Sequence, residues 1–358
     1  MIRCSAFLVA GWLFIVSQSA YALDPYASGA DPYWLLLHEP AVQQELRLSA
    51  EQRPQFQKML DDVDLRYFPL RNKSAAEAKQ GFNALLEAVH TQLKGLLKPD
   101  QLARLREILL RHLATKAVLR DDVAKQLAFS DQQREKIQQI TDETQTAVTA
   151  LEKEASAGKP REPLEKQFVE LKTEEQKKVL ELLKPEQQNG WRQLIGKPFD
   201  LSRIGQPAFK VPELIDSREW INSASPVTLA QSRGKVVVVH FYASGCINCI
   251  RNYPWYRQWS EAFQDKDVVI VGIHTPETTA ERDVAGVRRK AAEEKFTFPI
   301  LVDGKNENWN AWGNSMWPSV YVLDKRGYLR YFWPGELKWQ GNDGEKFLRE
   351  RIEALLKE

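Results

Sequence analysis

Apolar residues recur at helical spacing through the first half of the chain. Between about residues 31 and 196, leucines return every three or four positions, as in Leu102, Leu105, Leu109 and Leu113, with polar residues between them. This spacing places the apolar side chains on one face of an α-helix. It predicts an all-α bundle of roughly five helices at 23–196, in which these faces pack together.

The starts of four predicted helices carry a short repeated phrase. The phrase reads Leu-Ser-Ala-Glu-Gln at 48–52, Leu-Lys-Pro-Asp-Gln at 97–101, Phe-Ser-Asp-Gln-Gln at 129–133 and Leu-Lys-Pro-Glu-Gln at 183–187. Its serine can cap a helix, its glutamine can reach back to the capping residue, and its proline fits the first helical turn. The four copies are unequally spaced, which excludes a solenoid of fixed period.

The second half of the chain changes to short apolar runs that are rich in β-branched residues, as buried strands are. These runs lie at 236–241, 268–273, 298–302, 319–323 and 328–332. Helical stretches follow the first two runs, and an amphipathic helix closes the chain at 343–358. This order of strands and helices predicts an α/β domain at 212–358, with a mixed central sheet and helices on both faces. A segment with Gly and Pro at 197–211 is the predicted linker.

Composition and charge narrow the classes of function. The chain has 358 residues, 43% of them apolar, which excludes a disordered or low-complexity protein. Lys and Arg number 50 against 48 Asp and Glu, and this balance argues against nucleic acid as a partner. The three cysteines are too few for a disulfide-stapled scaffold, so each has to be interpreted individually.

Residues 1–22 have the features of a secretory signal peptide. Arg3 precedes an apolar run that ends at Val16, and alanines flank Tyr21, as a signal peptidase requires. The run is shorter than the ~20 residues of a membrane span, and an uncleaved anchor is the alternative. Cleavage would leave a soluble protein in the periplasm or outside the cell, where disulfides persist.

A Cys-x-x-Cys motif, Cys246-Ile-Asn-Cys249, follows the first predicted strand and opens a helix. A thiolate rather than a thiol attacks a disulfide, and the amide donors and the dipole of a helix start stabilise the thiolate. The second cysteine lies one turn later, within reach of the first sulfur, and can resolve a mixed disulfide. We therefore predict that Cys246 attacks and Cys249 resolves, and that no cofactor is needed.

Other interpretations of the cysteine pair are weaker. A structural disulfide would close only two intervening residues and would constrain the unfolded chain little. A zinc site needs four ligands, and no second cysteine pair follows, although metal handling stays an alternative. The stretch at 240–245 lacks the proline of a peroxidase loop, and Ile250 rather than His follows Cys249, which excludes haem attachment.

Residues 207–358 resemble the thioredoxin fold, and in particular the exported thiol-disulfide oxidoreductases of the TlpA/ResA/DipZ type. The resemblance rests on Gly245-Cys-Ile-Asn-Cys-Ile-Arg251, Val271-Gly-Ile-His-Thr-Pro-Glu277 and Trp317-Pro-Ser319. It implies disulfide exchange with protein disulfide or dithiol substrates, often their reduction, with electrons delivered by a membrane transporter.

The resemblance also implies roles for residues around the cysteines. Pro318 would be the cis-proline of the family, and Trp317 would offer its main chain to a substrate strand. Gly245 stands where thioredoxins usually have Trp, which should open the surface beside the attacking cysteine. His240 stands where many thioredoxins bury an acid, so it is either a proton carrier for the resolving cysteine or a satisfied core histidine.

The candidates for tuning the cysteines or docking a partner are Glu277, Trp317 and Trp312. Glu277 lies in a loop after the second strand, near the sheet edge where α/β sites gather, and could tune the pKa of the cysteines, bind a partner or cap a helix. Trp317 and Trp312 are candidates for an exposed apolar docking rim.

The helical half suggests an alternative function. Its repeated phrase weakly resembles the helix openings of small exported proteins of the Spy/CpxP type, which are chaperones or stress sensors. In that alternative, the helical half binds clients and the thioredoxin-like half is a docking module.

Overall fold

A computed structural model describes residues 33–156, 159–205, 207–339 and 342–358. The predicted signal segment at 1–22 lies outside the described residues, so its cleavage stays a prediction. The described chain forms two compact units, and the first contains residues 33–53 with the described part of Leu93–Pro207. The second unit contains Pro54–Gln92 and the described part of Ala208–Glu358.

Helices make up the first half of the chain, as the leucine spacing predicts. They are α1 (Tyr33–His38), α2 (Pro40–Glu45), α3 (Gln52–Tyr67), α4 (Ala75–Leu96), α5 (Pro99–Leu113), α6 (Asp121–Gln126), α7 (Asp131–Ser156), α8 (Arg161–Leu182) and α9 (Pro185–Ile195). Helices α1, α2 and α6 have six residues each. They are too short for a helical period to repeat, which is why the sequence predicted fewer helices. Within the described residues, no helix combines the length and the apolar character that a membrane crossing requires.

The four repeated phrases pair with one another inside the first unit. Ser49 and Gln52 exchange hydrogen bonds between main chain and side chain at the start of α3, as the predicted cap requires. The amide of Gln52 also exchanges hydrogen bonds of 2.9 and 3.1 Å with the amide of Gln101, in the second phrase. Gln133 and Gln187, in the third and fourth phrases, form the same reciprocal pair. Each glutamine therefore joins two helix starts as well as capping its own.

A mixed sheet organises the second unit. Its strands are β1 (Phe209–Lys210), β2 (Trp220–Ile221), β3 (Val236–Tyr242), β4 (Val268–His274), β5 (Ile300–Val302), β6 (Ser319–Leu323) and β7 (Tyr328–Pro334), in the order β1-β7-β6-β3-β4-β5-β2. Two further strands, β8 (Lys338–Trp339) and β9 (Asn342–Asp343), form a separate two-stranded antiparallel sheet. Central β3 pairs in parallel with β4 and antiparallel with β6, which places His240 opposite Gly272 and Val320. All seven residues of β3 are buried, because a central strand is covered on both faces.

Helices α10 (Ile247–Phe263), α11 (Val284–Glu293) and α13 (Gly344–Leu355) pack on one face of this sheet. Val236 and Val238 of β3 share an apolar core with Tyr256 and Trp259 of α10. A short helix, α12 (Glu307–Ala311), follows β5. This core fixes the start of α10 at the end of β3, where the cysteines lie.

The opposite face of the sheet is covered in part by residues from the helical half. Phe241 of β3 and Tyr321 of β6 pack against Trp312. Trp312 in turn contacts Phe68 edge-on, with 6.3 Å between the ring centroids. Helices therefore lie on both faces of the sheet, as the sequence predicts, but Pro54–Gln92 supplies some of the cover.

The compact units divide the chain differently from the predicted domains at 23–196 and 212–358. Asp64 of α3 accepts a hydrogen bond of 2.7 Å from the main-chain N–H of Lys210 in β1, so the second unit includes polar contacts to α3. Leucine spacing identifies a helix but not the surface against which it packs, and this is why the sequence placed α3 with the other helices. The predicted domain boundaries stay predictions.

Candidate active site

Cys246 and Cys249 lie at the junction between β3 and α10. The chain leaves β3 at Tyr242, and Cys246 is the N-cap residue of α10, whose first residue is Ile247. Cys246 is 9% exposed, whereas Cys249, in the first turn, is fully buried. Both are free thiols. Of the two cysteines, Cys246 is therefore the less deeply buried.

The Cys249 thiol donates a hydrogen bond to the Cys246 sulfur, and this bond is the main cause that lowers the pKa of Cys246 to about 7. Burial opposes the shift, whereas the main-chain N–H groups of Cys249 and Asn248 support it. The thiolate of Cys246 is therefore favoured at neutral pH relative to that of an unperturbed cysteine, whose pKa is about 8.5. Cys246 is thus prepared for nucleophilic attack.

The pKa of the Cys249 thiol is shifted in the opposite direction. Burial raises the pKa of Cys249 far above its ordinary value, and the hydrogen bond that it donates to Cys246 adds to this rise. The main-chain N–H of Ala243 donates to the Cys249 sulfur at 3.5 Å and offsets burial only in part. Because only a thiolate attacks, these opposite pKa shifts favour Cys246 over Cys249 as the first thiol to react, and the order of reaction stays a prediction.

Glu277, the residue predicted to tune the cysteines, lies exposed in the loop after β4. Its negative charge raises the pKa of both Cys246 and Cys249. The main-chain N–H of Glu277 donates to the carboxylate of Glu281 at 3.0 Å. The charge of Glu277 therefore disfavours the thiolate form of both cysteines. The hydrogen bond to Glu281 holds the main chain of Glu277 in position.

The carboxylate of Glu281 holds the loop that precedes Cys246. Its carboxylate accepts hydrogen bonds from the N–H of Gly245 at 2.6 Å and from the hydroxyl of Ser244 at 3.2 Å. The N–H of Thr278 donates to the same carboxylate at 2.9 Å. Burial alone would raise the pKa of Glu281, but the N–H donors outweigh burial and hold the pKa below its ordinary value. One charged group thus ties the cysteine loop to the loop that follows β4.

Glu281→Gln should lower the free energy of unfolding by about 1–3 kcal/mol at pH 7, because hydrogen bonds to a charged acceptor are stronger than neutral ones. The folded-state pKa of Glu281 lies below its unfolded value. Its contribution is therefore present above the unfolded pKa of about 4.3 and is lost as the pH falls through the folded pKa. Denaturant unfolding of both proteins between roughly pH 3 and pH 7 measures this. A constant difference across that range would count against the assignment.

His240 lies on the α10 side of β3 and is fully buried. Its ring stacks on Tyr256 at 4.0 Å between centroids and meets Phe298 edge-on. Among the described residues, neither ring nitrogen has a hydrogen-bond partner, and burial lowers the pKa of His240 to about 3. The ring is therefore a neutral core group without the hydrogen bonds of a satisfied core histidine. Its part in proton transfer with Cys249 stays a prediction.

The peptide bond between Trp317 and Pro318 is cis, as the resemblance implies. Pro318 is buried and Trp317 is half-buried. The indole N–H of Trp317 donates to the main-chain oxygen of Thr275 at 3.1 Å, and its ring stacks on Trp309 at 3.9 Å. Trp312 is fully buried, so the prediction that it belongs to an exposed rim is wrong. Its ring lies in the apolar core on the face of the sheet opposite α10.

Three exposed positions adjoin the site residues along the chain. Gly245 is exposed, as expected where no Trp covers the surface. Ile247 is 58% exposed and directly follows Cys246, and Met316 is 46% exposed and directly precedes Trp317. The sequence did not single out these two apolar residues, since exposure of one apolar side chain leaves no periodic signal.

Two further residues at this site, Glu281 and His274, were not predicted from the sequence. The Nε2 atom of His274 accepts a hydrogen bond of 3.2 Å from the N–H of Ser244, and burial lowers the pKa of His274 to about 4. Thr278 and Glu281 form a capping box, and this Thr-x-x-Glu signal in the sequence could have revealed Glu281. The described residues contain no group of three or more metal-ligating side chains that could hold a metal ion.

A Cys-x-x-Cys pair at a helix start, a cis-proline and a mixed sheet with helices on both faces define a thioredoxin-like thiol-disulfide oxidoreductase. Residues 204–332 match the AhpC/TSA family. The thiol-disulfide oxidoreductase YkuV of Bacillus subtilis is 32% identical over 157 residues, which cover 44% of this chain and 98% of YkuV. The chain therefore belongs to the thioredoxin-like AhpC/TSA family, among its thiol-disulfide oxidoreductases.

Two other similarities lie in the same part of the chain. Protein DipZ of Mycobacterium bovis is 35% identical over 127 residues, which cover 35% of this chain. The chain spans only 18% of the length of DipZ. A thioredoxin-like protein solved in solution in its oxidised form is 31% identical, with a TM-score of 0.36, and the match covers 42% of this chain and 95% of that one.

Proposed function

We propose that this protein reduces disulfides of partner proteins outside the cytosol, through Cys246 and Cys249. The observation that carries the proposal is the difference between the two thiols, one with a pKa of about 7 and one buried with a raised pKa. A pair of this kind can attack a disulfide with one sulfur and release the product with the other. The similarity to YkuV supports the same chemistry.

In the proposed cycle, the Cys246 thiolate attacks one sulfur of the partner's disulfide. That S–S bond breaks, a bond between Cys246 and the partner forms, and the partner's other sulfur leaves as a thiolate. Cys249 then loses its proton and attacks the Cys246 sulfur, which forms the Cys246–Cys249 disulfide and releases the second partner thiolate. Two electrons pass to the partner, whose sulfurs take up two protons, and the cysteine pair is oxidised.

The pKa of Cys246 supports the proposed direction of electron flow. The attacking cysteine of thioredoxin, a reductant, has a pKa of about 7, whereas that of the strong oxidant DsbA has a pKa of about 3.5. A more stable thiolate stabilises the reduced enzyme and makes its disulfide a stronger oxidant. With a pKa of about 7, Cys246 resembles the reductant.

A reductase must itself be reduced again after each cycle. The signal-like sequence at 1–22 and the resemblance to exported oxidoreductases support a location where cytosolic reductants are absent. We infer that a membrane protein carrying a dithiol supplies the two electrons. The donor's thiolate would attack the Cys246 sulfur, and the steps of the cycle would run in reverse.

The partner's chain would lie beside the turn formed by Trp317 and Pro318. Gly245 leaves the surface open, and the exposed side chains of Ile247 and Met316 offer apolar contacts to the partner. Partner proteins with an extended apolar segment next to their disulfide fit this surface best.

Reduction of insulin by dithiothreitol tests the proposed function. The protein at micromolar concentration should accelerate the precipitation of reduced insulin, and Cys246→Ser should remove the acceleration, because a serine hydroxyl does not form the anion that attacks. Circular dichroism of Cys246→Ser controls for folding. Equal acceleration by the wild type and this variant would refute the assignment of Cys246, and no acceleration by a folded wild type would refute the activity.

A further inference from the structure

A segment of the helical half contacts the chain that leads into the turn at Trp317 and Pro318. We call residues 68–72 the brace segment. The carbonyl oxygen of Phe68 lies so close to Gly313 that a side chain there would collide with it, and Gly313 has a positive φ of 59°. Asn72 Nδ2 donates a hydrogen bond of 3.4 Å to Asn310 Oδ1. The brace segment therefore touches the main chain and a side chain just ahead of the turn.

Arg71 makes the strongest polar contacts of the brace segment. Its Nη1 atom donates hydrogen bonds to the main-chain oxygen of Trp312 at 3.0 Å and to the hydroxyl of Tyr321 at 3.1 Å. The guanidinium also lies over the rings of Tyr321 and Phe332, at 5.6 and 4.8 Å from their centroids. With the ring of Phe68, at 5.4 Å, two acceptors and three ring faces thus surround this half-buried cation.

A continuous series of contacts connects Arg71 to the turn. The hydroxyl of Tyr321, which accepts from Arg71, donates to Asn314 Oδ1 at 2.7 Å. The N–H of Asn314 donates to the main-chain oxygen of Trp309 at 3.0 Å. The ring of Trp309 stacks on Trp317, the first residue of the cis peptide bond. Each member of the series contacts the next, so the series leads from Arg71 to the first residue of the turn.

We propose that Arg71 is a positioning residue for partner docking, which holds the turn at Trp317 and Pro318 in the shape that the partner's chain requires. The inference rests on the proposed function. Since the contacts of Arg71 in the described structure involve neither cysteine, Arg71 should affect the binding of a protein partner and leave the reactivity of Cys246 unchanged. A residue outside the matched family region at 204–332 would then shape the docking surface.

Hydrogen–deuterium exchange of Arg71→Met tests the positioning without any need for activity. Lys73→Met is the matched control, because it removes the same charge from an exposed neighbour. The N–H groups of Trp312, Gly313 and Asn314 are hydrogen-bonded and should exchange at least about tenfold faster in Arg71→Met, but not in Lys73→Met. Unchanged exchange in a folded Arg71→Met would overturn the inference, whether or not the protein is a reductase.

Insulin reduction by the same variants separates the inference from the proposed function. In Arg71→Met the KM for insulin should rise about fivefold to tenfold, while kcat and the alkylation rate of Cys246 stay within about twofold of the wild type. An equal change in Lys73→Met, or a loss in kcat alone, would overturn the inference. A wild type without activity would refute the proposed function, and the exchange data would still decide the role of Arg71.

A third variant keeps the test decisive if Arg71→Met does not fold. Tyr321→Phe retains the ring that packs against Trp312 and removes only the hydroxyl between Arg71 and Asn314. It should raise the KM for insulin in the same direction, by about twofold to fivefold. A KM equal to that of the wild type would show that the series of contacts does not reach the turn.

Discussion

Cys249→Ser is expected to accumulate a disulfide-linked complex between Cys246 and the partner. Attack should proceed, because a serine hydroxyl at this position can still donate a hydrogen bond to the Cys246 sulfur. The second step should stop, because serine cannot form the disulfide that releases the partner. Turnover with insulin should fall at least about a hundredfold, since an external thiol must replace a neighbouring one.

Intact-mass spectrometry under non-reducing conditions measures this complex after incubation with insulin. Cys246→Ser is the matched control and should form no complex, because Cys249 is fully buried and its pKa is raised. A complex through Cys249 in that control would show that the two roles are reversed. Undiminished turnover by Cys249→Ser would show that the second sulfur is not needed.

Cys249→Ala is expected to raise the pKa of Cys246 from about 7 toward the ordinary value of about 8.5. The hydrogen bond from the Cys249 thiol is the main cause of the lowered pKa, and alanine cannot donate it. With fewer thiolates at pH 7, alkylation of Cys246 by iodoacetamide should slow by about tenfold. The same reaction above roughly pH 9 should be nearly unaffected, because both proteins are then largely thiolate.

Cys249→Ser is the matched control for this pKa, since it removes the sulfur but keeps a donor. Its alkylation profile should stay close to that of the wild type, with half-maximal rate near pH 7. Equal profiles for the alanine and serine variants would show that the helix start, rather than the thiol of Cys249, sets the pKa. Mass spectrometry of the peptide that contains Cys246 follows the reaction site by site.

The fold of the second half could be predicted because buried strands and amphipathic helices leave different periods in the sequence. The strand that became β3 is apolar apart from His240, as a strand covered on both faces requires. The packing of the brace segment could not be predicted, because Arg71 and its acceptor in Trp312 are 241 positions apart. No local pattern records such a contact.

Some residues of the candidate site could likewise be predicted from their neighbours in the sequence, whereas others depend on contacts with distant residues. Cys246 and Cys249 could be found because their spacing within one helical turn is itself the chemical requirement. Glu281 could not be assigned to them, since the N–H of Gly245 that it holds lies 36 positions earlier. The burial of His240 follows from its strand. In the part of the chain that the structure describes, its ring has no hydrogen-bond partner, because it packs against Tyr256 of α10 and Phe298 in the loop before β5.

Equilibration of the protein with mixtures of reduced and oxidised glutathione tests the central claim most directly. Free thiols are trapped at each ratio, and mass spectrometry counts them at Cys246 and Cys249. We predict a single two-electron transition in which both thiols disappear together, with a potential below about −200 mV, in the range of reductants. Thiols that never pair at any ratio would contradict the disulfide cycle, and a potential near about −120 mV, that of a strong oxidant, would contradict its direction.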